Sequence, residues 1–359
     1  MNRKIVLSIA MALTKSWVHS VLPDKILSPS KRIYFSLQAH PDDEILKAGI
    51  DQRIIAFSKN PVFTTLTDGN RNTSEDRVAE LGEAFKILGY NKDIKCFLYE
   101  RDILDLVCTE QGQSKEVPLN NIKRVAEMLR EKSSAIENMI EGAEASSLLV
   151  PDYAGGHFIH DLTQMVGVAI ARRIAKRRKI EVYEFPQYYL RLKIDKEVTP
   201  EKVQELVLQL ENAHKSLRVV RKSLTDLFGV TLNRQTEYSV LQQNIEYRVG
   251  DFVEGKGEGL TDPGIGMYNG IIHLTGREFQ NKLAVKEVHQ SQKASLGRML
   301  AYGTVFGDFS VERLREVNLD RDFRIPPNTK IRLYEVVPWR PHADFKTFKR
   351  IYEEITSKE

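Results

Sequence analysis

The chain has 359 residues, of which 42% are hydrophobic and 28% charged, a globular composition that excludes a chain dominated by disorder. Its 53 basic and 49 acidic residues are mixed along the sequence and leave a net charge of +4, so no segregated basic face marks a nucleic-acid binder. The two cysteines, Cys96 and Cys108, form neither a metal-type pair nor a disulfide framework. Their apolar, strand-like surroundings predict buried thiols and fit a reducing, cytoplasmic compartment.

In chain order, the first segment is "MNRKIVLSIAMALTKSW". Arg3 and Lys4 precede an apolar run from Ile5 to Leu13, the outline of a signal peptide. Lys15 interrupts that outline, and Trp17, Val18, Val21 and Leu22 continue an apolar spacing suited to a helix. The run is too short to span a bilayer. The expectation for residues 1–30 is therefore a packed or surface-lying amphipathic helix without a stable membrane span, and an export or membrane signal is the alternative.

From 31 to 195, β-type runs alternate with helical patterns. "RIYFSLQA" (32–39), "PVFTTLTDG" (61–69), "IKCFLY" (94–99), "SSLLVPD" (146–152) and "IEVYEFPQYYL" (180–190) read as five strands. Helices are predicted over 44–59, 74–88, 120–142 and 161–179. In the second of these, Ser74 is placed to cap, Val78, Leu81, Phe85 and Leu88 form an apolar stripe, and Gly89 stops the run. The basic run "RRIAKRRK" (172–179) reads as the last turns of a helix, where the dipole favours cations. This alternation predicts an α/β, Rossmann-like fold with a mostly parallel sheet and helices on both faces.

Residues 196–359 change character and are expected to pack on the core as a mixed α+β extension that shapes the pocket. A long helix over 200–228 carries one apolar stripe, suited to packing on the first region or to a homo-oligomer contact. The glycine-rich stretch at 250–270 lacks the strand–GxGxxG–helix setting of a phosphate cradle and reads as a loop. Residues 278–302 look helical again.

Ligands of such sheets bind at the carboxyl ends of the strands. Three polar segments are predicted to meet there: "AHPDDE" after the first strand, Asp68-Gly69 after the second, and "YAGGHFIHD" after the fourth. His40 and Asp43 are three apart, as are His157 and His160. Taken alone, a His-x-x-His pair is more often a surface or capping pair than a ligand pair, and Asp42 and Asp43 before a helix suit N-caps. Together, the two pairs can supply three metal ligands and leave one group over. A catalytic zinc takes nitrogen and oxygen ligands and lowers the pKa of a bound water to about 7. An adjacent carboxylate can take that water's proton.

"AHPDDE" resembles the signature of the LmbE/PIG-L family of zinc-dependent N-deacetylases. The resemblance continues through "TLTDGN", through "EDRVAELGEAFKILGY" with Arg77 and a glutamate three residues on, and through "VPDYAGGHFIHD"; "LAVKEVHQSQ" is similar to a late family segment. It implies one zinc per chain on His40, Asp43 and His160, with Asp42 as general base. His157 would stabilise the oxyanion or protonate the leaving amine. Arg77 and Asp68 would face the substrate, and Glu44 would orient the loop. It implies removal of an N-acetyl group from an N-acetylglucosamine-type sugar or glycoconjugate, with no nucleic-acid partner. The alternatives are a larger thiol-conjugate or acylated secondary-metabolite amide, or a sugar-binding homologue with impaired catalysis. One departure from the family pattern is His157-Phe158-Ile159-His160, where members often carry His-Pro-Asp-His. Asp152 or Asp161 would then replace the missing carboxylate partner of His157.

Overall fold

The computed structural model describes residues 32–69, 77–108, 116–153, 158–185, 270–292, 311–325 and 345–357. The N-terminal helix, the Ser74 cap, the 200–228 helix, the glycine-rich stretch before residue 270 and His157 lie outside them.

Seven strands form one sheet: β1 (Tyr34–Gln38), β2 (Val62–Thr67), β3 (Lys95–Leu98), β4 (Ser147–Pro151), β5 (Glu181–Phe185), β6 (Gly270–His273) and β7 (Val311–Glu316). Their order is β3-β2-β1-β4-β5-β7-β6. The first five pair in parallel, with Phe35 opposite Val62 on one side and Leu148 on the other. β7 and β6 add antiparallel beyond β5. The order reverses direction between β1 and β4, and that crevice is where doubly wound sheets bind ligands.

Among the described residues, seven α-helices accompany the strands: α1 (Ala48–Phe57), α2 (Arg77–Ile87), α3 (Glu100–Val107), α4 (Leu119–Gly142), α5 (Phe158–Ala175), α6 (Gly276–Val288) and α7 (Phe345–Thr356). Two apolar cores lie on opposite faces of the sheet. Phe35 and Leu37 point into one with α3, α4, α5 and α7, whereas Tyr34, Phe63 and Leu149 point into the other with α1, α2 and α6. This split follows from the two-residue period of a strand. α4 buries Ile122, Val125, Leu129, Ile136 and Ile140 at helical spacing. α5 is buried nearly all round as far as Ala171, because it lies against the sheet, α4 and α7.

Three local expectations change. The predicted 44–59 helix begins as a 3-10 turn (Asp43–Lys47) before α1 takes over. Cys96 and Cys108 are half-buried rather than buried, and partial burial still pushes the Cys96 thiol up to about 11. The basic run ends α5 at Ala175, and its arginines bind the acidic end of α4: Arg173 and Arg177 each reach Glu137 at 2.7 Å, and Arg178 reaches Glu141 at 2.9 Å. No helix among the described residues is long and apolar enough to cross a membrane.

The C-terminal region is tied to the core by buried charge. Glu312 of β7 accepts from the backbone N–H groups of Gly49 (3.0 Å) and Ile50 (2.7 Å), capping α1 from 262 residues away, and Lys282 of α6 neutralises it at 2.9 Å. Gly49 leaves room for this approach, since a Cβ there would collide with Leu274. Glu184 of β5 is fully buried and accepts from Arg315, from Arg321 through two nitrogens (3.1 Å each), and from Gln164 (2.9 Å). Burial opposes its ionisation, but the two guanidinium groups outweigh burial and pull its carboxyl down to about 2.

Because the folded-state value lies below the ordinary 4.5, Glu184 stabilises the fold at neutral pH, and this contribution fades as pH falls from about 4.5 towards 2. Glu184→Gln, which leaves two buried arginines without their carboxylate, is expected to cost about 3–5 kcal/mol at pH 7. Urea titrations of both proteins at pH 7 and pH 3 check this, and the gap should narrow at the lower pH.

Candidate metal centre

The chain leaves β1 in a tight turn. Asp43 folds its side chain back, so that one oxygen accepts from the Ala39 N–H at 2.8 Å and the His40 N–H at 2.9 Å. Thr67, at the end of β2, donates to the Ala39 carbonyl from both its backbone N–H (3.1 Å) and its hydroxyl (2.8 Å). Gln38 donates to the His40 carbonyl at 3.0 Å. The turn is therefore held from both sides before any ligand is considered. Asp42 occupies the N-cap position of the 3-10 turn but makes no side-chain cap bond. The capping expectation for Asp42 and Asp43 gives way to tertiary contacts.

α5 begins beyond β4, on the other side of the strand-order reversal, and brings His160 to the same turn. His40 Nδ1 lies 2.8 Å from His160 Nε2, and Asp43 Oδ1 lies 3.8 Å from the first nitrogen and 3.5 Å from the second. A triangle with those edges has a centre about 2.0 Å from each corner, matching zinc–nitrogen and zinc–oxygen bond lengths of about 2.0–2.2 Å. All three residues are buried. Two imidazole nitrogens at 2.8 Å cannot both present lone pairs unless a proton or a cation lies between them. The donor set and its spacing thus fit a divalent metal.

The electrostatics agree with that fit. Burial disfavours the charged form of both rings, yet the Glu100 and Asp43 carboxylates push His40 up to about 10, whereas burial prevails at His160 and pulls it down to about 3. Burial would raise Asp43, but His160, His40 and the two backbone donors hold it well below the usual carboxylate range. The pocket therefore favours one positive charge beside Asp43.

Arg77 opens α2 and is almost fully buried. Its Nη2 lies 2.7 Å from Asp42 Oδ1, and its Nη1 donates to the Gly69 carbonyl. Gly69 has φ +67°, a conformation that favours glycine, and a Cβ there would push the Arg77 guanidinium from its place. Asp68 accepts from the Glu100 N–H at 2.9 Å, at the start of α3. Glu100 places Oε2 at 3.5 Å from His40 Nε2. Burial alone would raise its carboxyl, but His40 and Arg77 hold it below its ordinary value. Asp152 and Asp161, the two candidates for partnering His157, are both buried.

Glu44 is completely buried, with His289 donating to it across a very short contact. Burial raises its carboxyl against the pull of His289, and Glu44 raises His289 against its own burial. Sequence reasoning missed Glu100 and the partnership of His289 with Glu44. Glu100 lies two residues past the end of β3, at the same sheet edge, a signal that was available. His289 lies within "LAVKEVHQSQ", but nothing in that segment names a partner 245 residues away.

No family model matches the chain, and no curated protein matches it. Among solved structures, it is similar to the zinc-inhibited form of teicoplanin deacetylase Orf2 at 11% identity, covering 80% of this chain and 99% of that one, with a TM-score of 0.42. It is similar to the A40926 pseudoaglycone deacetylase Dbv21 at 12% identity, covering 82% and 100%, with a TM-score of 0.43. It is also similar to the N,N'-diacetylchitobiose deacetylase from Pyrococcus horikoshii at 16% identity, covering 62% and 89%, with a TM-score of 0.28. With TM-scores below 0.5, these likenesses carry no weight for the activity of this chain.

Proposed function

We propose that this chain is a zinc-dependent hydrolase that removes an N-acetyl group from an N-acetylglucosamine-type sugar or glycoconjugate, releasing acetate and a free amine. The observation that carries the reading is the meeting of His40, Asp43 and His160 around one point, with Asp42 adjoining Asp43 in sequence and held by Arg77. The acetyl-sugar substrate class comes from the resemblance of "AHPDDE" and its companion segments to the deacetylase family.

Zinc, when bound, would polarise the acetyl carbonyl and acidify the attacking water. His40 would offer Nδ1 to the metal because the Glu100 carboxylate faces its Nε2, an arrangement that fixes ring orientation. Asp43 would serve as a ligand through Oδ1 while its other oxygen stays on the turn backbone. Asp42 is the more exposed carboxylate of the cluster, and Arg77 holds it in place. It is the residue assigned to take the proton of the attacking water. His157 is assigned to the leaving amine on the resemblance alone.

Chelation should abolish acetate release. Asp42→Ala should keep the metal and lose about 10²–10⁴ in turnover, whereas His160→Ala should lose both; metal analysis beside an acetate assay checks each, and full activity of the Asp42 variant would overturn the mechanism. Zinc at about 100 times its Kd adds about 2.7 kcal/mol to stability. The melting temperature should therefore rise on adding zinc, and Asp43→Asn should erase the rise. Screening acetylated sugars against bulkier acylated amides, read by amine release, identifies the substrate class.

A further inference from the structure

Glu44 presents a problem that the reaction does not answer. It adjoins Asp43 and has 0% of its surface exposed to solvent. Gln38 approaches at only 3.5 Å, so the main partner is His289, in the turn that ends α6. That turn has a second anchor. The Ser291 N–H and hydroxyl both donate to Glu80, at 2.9 and 2.5 Å, and His289 Nδ1 lies 3.7 Å from the same carboxylate. Glu80 sits on α2 three residues after Arg77, so the two project from one face of that helix. Arg77 holds Asp42.

These contacts close a ring. It runs from Asp42 through Arg77 and α2 to Glu80, across to Ser291 and His289, and back to Glu44. Asp43 is the link between Asp42 and Glu44 that completes it. α6 is itself docked on α1, where Arg53 meets Glu278 at 2.7 and 3.0 Å and Asn281 donates to Gln52 at 2.8 Å.

We propose that the His289–Gln292 turn is a latch on the metal loop, with His289 as a positioning residue that acts through Glu44 to hold Asp43 in ligating geometry. The latch is a property of the folded loop; only its effect on zinc rests on the hydrolase reading. Opening it should free the Asp43 side chain from the Ala39 and His40 amides that it now receives.

Amide hydrogen exchange of the full chain tests this. His289→Ala should speed exchange at Ala39 and His40 by about tenfold or more, while Ile136 and Ile140 of α4 stay at the wild-type rate. His289→Gln, whose amide can replace the Nε2 donor, should restore much of the protection. Ser291→Ala removes a hydroxyl without stripping a buried charge and should act in the same direction more weakly; it decides the matter if His289→Ala does not fold. Zinc affinity should fall by about 10–100-fold in His289→Ala. Wild-type exchange at Ala39 and His40 in the alanine variants, or equal acceleration throughout α4, would overturn the latch. A wild-type chain that binds no zinc would overturn the hydrolase reading, and the exchange pattern would still judge the latch.

Discussion

Asp42, Asp43 and Glu44 are consecutive, and the last two are buried. Two like charges about 4 Å apart repel by about 4 kcal/mol at an effective dielectric of 20, and removing each from water costs several more. The fold answers by giving each carboxylate its own set of partners. Asp43 faces two imidazoles, Asp42 faces Arg77 and Glu44 faces His289. Everything else about the site follows from satisfying that cluster: where α2 starts, why α5 carries a histidine in its first turn, and why a distant turn must pack against the first β–α connection.

The topology makes the arrangement reachable. With the order β3-β2-β1-β4-β5, the loops after β1 and β4 are neighbours at the sheet's carboxyl edge, and those after β2 and β3 are one and two strands away. Asp68 and Glu100 come from these outer loops. Neither joins the metal-spaced triad; Asp68 fixes Glu100, and Glu100 faces the outer nitrogen of His40. Hydrogen bonding of this kind, from a neighbouring carboxylate to the outer nitrogen of a histidine, is what fixes ring orientation.

The antiparallel pair β7 and β6 extends the sheet rather than forming a separate layer, and its charges reach back into the first half of the chain. Glu312 caps α1, and Arg315 grips Glu184. Such buried pairs are poor sources of net stability but strict about geometry, because a partner removed leaves a bare charge. The C-terminal segment is therefore bound to the position of the first β–α connection.

Local pattern was enough to read the five parallel strands, the alternating helices and the polar loops at one edge, since alternation and helical spacing are properties of neighbouring residues. The chemical groups of "AHPDDE" were equally legible, and their place after the first strand, with "HFIH" after the fourth, pointed to one shared edge. The boundary at Asp43 was not. Asp42 and Asp43 look like caps in sequence, but Asp42 pairs with Arg77 and Asp43 folds back on the Ala39 and His40 amides. The pairings of Glu44 with His289, Glu80 with Ser291 and Glu184 with Arg315 and Arg321 span more than 100 residues each, and no periodicity encodes them. The sequence by itself determined which chemical groups arrive at the sheet edge. Only the tertiary structure decided which of them face one another, because a buried charge selects its partner by distance in space, and that distance is set by packing the two faces of the sheet.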